Sequence, residues 1–161
     1  HDLDIMQSIL QTKVKTVYGT NAQKIHSTHE DLMTATMKFE DDVIGTISCN
    51  WITPKIIREM VVVGEKGMLR ANYLTQELTL YKNEFTDKSV DWEKENLTVT
   101  PGEEITIDIE KKEPLLNELE AFVNSIKNKS DSPVSGEEGL ENLKIALHFL
   151  EAAKNNEVIR S

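Results

Sequence analysis

Between Met33 and Trp51 the chain alternates apolar and polar side chains almost without a slip. Met33, Ala35, Met37 and Phe39 alternate with Thr34, Thr36 and Lys38. After Glu40-Asp41-Asp42 the alternation resumes as Val43, Gly45, Ile47, Cys49 and Trp51 against Thr46, Ser48 and Asn50. A period of two places the apolar set on one face of a pleated strand and the polar set on the other. A three-residue acidic turn between two such runs dictates antiparallel pairing. From Pro114 onward the period changes. Leu115, Leu116, Leu119, Phe122, Val123 and Ile126 recur at helical spacing, and Pro114 suits a first helical position. Strands followed by helices, rather than strands alternating with helices, predict an α+β fold. The expected sheet is predominantly antiparallel, with helices packed on one face and the other face open.

The remaining elements fit this frame. Leu3, Met6, Ile9 and Leu10 predict a helix over 2–11, with Asp2 and Asp4 complementing its positive end. Lys13 to Gly19 and Ile57 to Val63 read as strands. Gly64-Glu65-Lys66-Gly67 reads as a turn into Met68 to Tyr73, and Gln76 to Lys82 as the next strand. Residues 83–104 are poorly patterned, with a hairpin excursion around Trp92 as one reading, and Ile105, Ile107 and Ile109 suggest a last strand. Thr53-Pro54 ends the central run, because proline lacks the ladder donor. Ser135-Gly136-Glu137-Glu138 is a capping-box pattern opening a final helix through Leu140, Leu143, Ala146, Leu147 and Leu150. Gly139 inside that helix costs about 1 kcal/mol relative to alanine, which close packing against a strand would explain.

Composition narrows the function classes. The 161 residues fit one domain. A net charge of −10 with no basic stripe argues against nucleic acid as a partner. No stretch approaches the length of a membrane span, so no membrane partner is expected. The single cysteine, Cys49, cannot form an internal disulfide, which fits a reducing cytoplasm. Its place in an apolar strand predicts a small core residue rather than a reactive thiol. The chain opens on His1 rather than methionine, and the expectation is a processed or truncated piece of a longer protein.

Few residues offer chemistry. Gly64 and Gly67 are two glycines in a turn, without the third that a dinucleotide fingerprint needs. No cofactor site is therefore expected in this chain. His1 and Asp4 stand three apart, on one face of the predicted helix. A carboxylate there can orient an imidazole and favour its charged form, while the helix end opposes that charge. Such tuning suits a general acid or base, although an ordinary helix start has the same pattern. His26 and His29 have metal-ligand character, but no second ligand pair supports them, so no metal is expected. Trp51, Pro54 and Arg58 gather near a strand end. Trp51 reads as core, interface or ligand contact, and Arg58 as an exposed strand charge or an anion partner.

Taken in order, these segments resemble a known family. His1-Asp2-Leu3-Asp4-Ile5-Met6 is similar to the start of the C-terminal domain of the Gfo/Idh/MocA oxidoreductases. Phe39 to Ile47 resembles that domain's central hairpin, and Val63 to Leu69 its "Gly, two residues, Gly" turn. Glu113-Pro114-Leu115 and Ser135 to Leu140 resemble its closing elements. The resemblance implies a two-domain parent whose N-terminal Rossmann domain, absent from this chain, binds NAD or NADP. Residues 1–161 would form a single domain supplying the substrate wall and a homo-oligomer interface through the open sheet face. It implies that His1 moves a proton at a sugar or nucleotide-sugar hydroxyl, together with a lysine and an aspartate that precede this chain. Asp4, Trp51 and Arg58 would contact the substrate. The Asn50 to Pro54 stretch resembles the nucleotide-sugar branch. The isolated chain is then expected to be inactive. Two rivals stand beside this: a non-catalytic interaction or regulatory module of the same fold, and redox-assisted glycoside cleavage within the family.

Overall fold

The computed structural model describes residues 1–25, 28–85 and 99–161, so the excursion expected around Trp92 lies outside the described residues. The element order is α1 (Asp2–Leu10), β1 (Val14–Ala22), β2 (Leu32–Phe39), β3 (Ile44–Asn50), β4 (Glu59–Gly64), β5 (Gly67–Asn72), β6 (Glu77–Phe85), β7 (Val99–Ile107), α2 (Pro114–Asn128), α3 (Gly136–Asn155) and β8 (Ile159–Arg160). The α+β class expected from the change of period is what the chain adopts. The strands divide into two four-stranded sheets, ordered β3-β2-β1-β8 and β4-β5-β6-β7, and every pairing is antiparallel. The chain also separates into two compact units, His1–Pro54 with Asn117–Ser161, and Lys55–Leu116.

The first unit holds the main core. Sheet register stacks Val17, Met37 and Gly45 across β1, β2 and β3, and Gly19, Ala35 and Ile47 beside them. This is the apolar phase of the alternation. Val17, Ala35, Met37, Phe39, Ile145 and Phe149 are buried, with Leu3 and Val14 closing the cluster. A register shift between Val14 and Thr16 lets both Val14 and Val17 face inward. Each fully buried large side chain contributes about 1.5–3 kcal/mol relative to exposure. Thr34, Thr36, Thr46 and Ser48 are exposed on the opposite face, so the sheet is two-faced as its pattern required.

α3 lies directly on β1. A Cβ on Gly19 would stand 2.9 Å from the Phe149 carbonyl oxygen. The glycine that permits close helix–strand approach is therefore Gly19. Gly139 faces open space, so the expected strand contact there is absent, and its cost is limited by its place in the first helical turn. The capping box is present: Glu138 N–H donates to Ser135 Oγ, and Ser135 N–H donates to Glu138 Oε2 at 2.7 Å. Pro114 is the first residue of α2.

The apolar stripes of the two late helices do not supply the core. α2 buries no side chain, and Leu119, Phe122, Val123 and Ile126 are exposed. In α3 the buried residues are Ile145, Phe149 and Ala152, while Leu140, Leu143 and Leu147 are more than half exposed. Periodicity finds a helix but does not say which of two apolar stripes meets the sheet.

In the second unit Gly64 pairs with Gly67 across the β4–β5 hairpin. Gly67 has φ +152°, and a Cβ there would meet the Tyr81 carbonyl oxygen at 2.2 Å. Only glycine fits. Glu59 holds Arg70 (2.8 Å) and Asn72 (3.3 Å) on one face of this sheet.

Candidate functional site at one end of the first sheet

α1 runs antiparallel to β3. Met6 Sδ lies 3.2 Å from where a Cβ of Gly45 would stand, and the charge of Asp2 reaches the Cys49 thiol. The helix thus begins at the end of β3 that carries Cys49 and Asn50. His1, its N-cap, stands at that end of the sheet and makes no side-chain cap bond. Ile5 N–H donates to the His1 carbonyl at 2.9 Å, which fastens the residue's main chain to the first turn.

Trp51 follows directly on β3. Asn50 Oδ1 accepts from the N–H of Ile52 (3.0 Å) and of Thr53 (2.9 Å), turning the chain out of the sheet. The indole is 85% exposed, so Trp51 belongs to the surface of this sheet end and not to the core. Its main chain is joined to Asp31, 1% exposed and the only buried charged residue among those described. Its carboxylate accepts from Lys24 N–H (3.0 Å) and Ile25 N–H (2.5 Å), and its carbonyl accepts from Trp51 N–H (2.9 Å). Asp31 therefore ties the β1–β2 loop to the start of the Trp51 turn. Nothing in the sequence marked Asp31 beyond its place in a polar loop.

Cys49 is exposed, contrary to the core position expected from the alternation. The strand phase is right, since Cys49 shares the inward face with Met33, but the core ends before reaching it. Partial desolvation pushes the thiol up, with a further push from Asp2, so its thiolate form is disfavoured at neutral pH.

The other candidates are placed as follows. Asp4 Oδ1 accepts from Asn142 Nδ2 at 2.8 Å, and Gln7 Nε2 donates to Asn142 Oδ1 at 2.6 Å. The hydrogen bond the structure assigns to Asp4 thus runs to α3. Asn142, not singled out in the sequence, was detectable as a polar residue seven before Phe149 and three before Ile145. Arg58 lies in the second unit, exposed, with its carbonyl accepting from Tyr73 N–H. His29 is exposed, and its suggested partner His26 lies outside the described residues. Among the described residues, no group of three or more His, Cys, Asp or Glu is placed to hold a metal. Among the described residues, no helix is long and apolar enough to cross a membrane.

This end of the sheet offers an imidazole at a helix start, a carboxylate-braced loop and a projecting indole. That set can bind a polar ligand against an aromatic face and move a proton at it. The two-glycine turn is a β-hairpin rather than a strand-to-helix turn, and Gly67 serves the hairpin's own backbone.

Comparison with known proteins follows from this fold. UDP-N-acetylglucosamine 3-dehydrogenase GnnA from Acidithiobacillus ferrooxidans superposes with a TM-score of 0.80 at 18% identity, over 96% of this chain and 45% of that one. The aldose–aldose oxidoreductase from Caulobacter crescentus, complexed with glycerol, gives 0.76 at 13% identity, over 99% and 44%. The WlbA dehydrogenase from Bordetella pertussis, in complex with NADH and UDP-GlcNAcA, gives 0.67 at 18% identity, over 100% and 42%. The chain spans less than half the length of each. No curated protein matches its sequence. Residues 1–160 match the family described as "Oxidoreductase family, C-terminal alpha/beta domain". The chain belongs to the Gfo/Idh/MocA oxidoreductase family, as its C-terminal α/β domain.

Proposed function

We propose that this chain is the substrate-side domain of an NAD- or NADP-dependent dehydrogenase acting on a sugar or nucleotide-sugar hydroxyl, with His1 as the proton-transfer residue. The observation that carries the reading is the convergence of His1, the Asn50 turn and Trp51 at one end of the first sheet. An alcohol carbon that is oxidised releases its hydroxyl proton, and an imidazole is a side chain able to accept it. Trp51 would pack on the ligand, and the Asp31-braced loop would keep that wall in place.

In this reading the dinucleotide is held by the remainder of a longer parent, and the β-hairpin form of the two-glycine turn supports that division. The exposed apolar side chains along α2 and on α3 support a partner surface of this kind, because large apolar groups left in water mark interaction sites. The Thr34, Thr36, Thr46 and Ser48 face is the surface for homo-oligomer contact in this reading. A light-scattering mass of one chain for the parent would remove that assembly.

The test is His1→Ala in the longer protein, assayed for NAD+ or NADP+ reduction with a panel of UDP-sugars. Turnover is expected to fall by about 10²–10⁴. Wild-type turnover would remove His1 from the chemistry. The 161-residue chain titrated with NADH should show no saturable fluorescence change, and tight binding would overturn the division of labour.

A further inference from the structure

α1 needs help to hold its place. It has nine residues, only Leu3 among them is buried, and its N-cap contributes no side-chain bond. A helix this short is unstable by itself in water. Apolar packing holds it through Leu3 in the core and through Met6 and Leu10 against it, and the polar contacts the structure gives it from α3 come from one side chain, Asn142.

Asn142 is engaged at both ends of its amide. Asp4 and Gln7 lie one turn apart on one face of α1. The Asn142 oxygen accepts from Gln7 at 2.6 Å and its nitrogen donates to Asp4 at 2.8 Å. Chemistry fixes this orientation. An ionised carboxylate only accepts, so the nitrogen must face Asp4, which leaves the oxygen for the Gln7 amide. Asn142 is half-buried on the side of α3 that carries Ile145 and Phe149 into the core. A leucine there would cost less in helix propensity and desolvation, so the asparagine earns its position only through these two bonds.

We propose that Asn142 is a positioning residue for His1. It clamps the first turn of α1 to α3, and the Ile5-to-His1 backbone bond passes that constraint to the residue carrying the imidazole. This rests on the reading of His1 as the proton-transfer residue, and it adds a residue of the last helix, 141 positions from His1, to the site.

The clamp is tested first on the 161-residue chain by amide hydrogen exchange. In Asn142→Leu the Ile5 amide should exchange about ten-fold faster or more, while amides around Ile145 stay within about two-fold. The double variant Asp4→Asn with Asn142→Asp exchanges the roles of the two groups. The amide at position 4 then donates to a carboxylate at position 142, which still accepts from Gln7, so Ile5 protection should return. Unchanged Ile5 exchange in Asn142→Leu overturns the clamp. So does loss of protection throughout the chain that the double variant fails to restore.

The second arm uses the longer protein with UDP-N-acetylglucosamine and NAD+ or NADP+. Asn142→Leu should lower kcat by about ten-fold with KM little changed, and should add nothing in a His1→Ala background. An additive loss would reduce Asn142 to ordinary packing and overturn the proposal. Normal turnover of His1→Ala alone, or no turnover of the wild type with this probe, would count against the functional reading instead. The exchange result would then still decide the clamp.

Discussion

The backbone N–H of Trp51 donates to the carbonyl of Asp31 at 2.9 Å, so a tryptophan whose side chain is exposed is fastened to the one buried carboxylate among the described residues. The carboxylate in turn takes two amides of the β1–β2 loop. Removing it takes a charged acceptor from the Lys24 and Ile25 amides and loosens the loop they belong to. Asp31→Ala should cost about 1.5–3 kcal/mol. Asp31→Asn should cost less, because both amides share Oδ2, which an asparagine carbonyl can replace, so that mainly the charge is lost. Urea denaturation followed by far-UV circular dichroism checks both, and an unchanged midpoint would contradict the arrangement.

Cys49 reports on the placement of His1. Its thiol is pushed up by partial desolvation and by Asp2 at the start of α1. The thiol should therefore be alkylated by iodoacetamide more slowly at pH 8 than a free cysteine peptide. Asp2→Asn removes a negative charge, lowers the thiol's value and speeds the reaction. Equal rates for the two proteins would separate α1 from the end of β3.

Gly67→Ala tests the β4–β5 hairpin. Its positive φ and the Tyr81 carbonyl 2.2 Å from the new Cβ exclude any side chain without a backbone shift. The substitution should cost well over about 1 kcal/mol, read as a lowered thermal midpoint. Gly64→Ala, at a position with open space, should be much milder.

The capping box sets a pH dependence. Two bonds, donated by the Ser135 N–H and hydroxyl to its carboxylate, hold Glu138 below its ordinary 4.5. A carboxyl lowered in the folded state contributes stability that is fully present above its unfolded value. That contribution is lost as pH falls through the folded value. The stabilisation should therefore be present at pH 7 and fade below about pH 4.5. In Glu138→Gln the urea midpoint should fall at pH 7, and its further decline on acidification should be shallower than in the wild type. Parallel curves would exclude the carboxylate as the cause.

Much of the architecture was legible because it is local. The 33–51 alternation specifies a two-faced hairpin, and Ser135 with Glu138 marks a helix start whatever surrounds it. Pro114 and the acidic first turn of α1 act through the backbone of their own segments. His1 at a helix start and Trp51 at a strand end were likewise readable as positions. Their convergence was not, because it depends on α1 lying antiparallel along β3.

The sequence by itself determined the three helices and most of the strands, since hydrogen-bond geometry and side-chain period are properties of neighbouring residues; the start of β7 at Val99 and the short β8 were not readable from it. Tertiary structure alone decided which apolar stripe of α3 became core, that Cys49 falls beyond the core's edge, and that Asp31 is buried. It also decided that Asp4 meets Asn142 across 138 positions. The physical reason is that burial and pairing depend on what lies across the interface. Leu143 and Ile145 are equally apolar, yet only Ile145 finds β1 and the core beneath it.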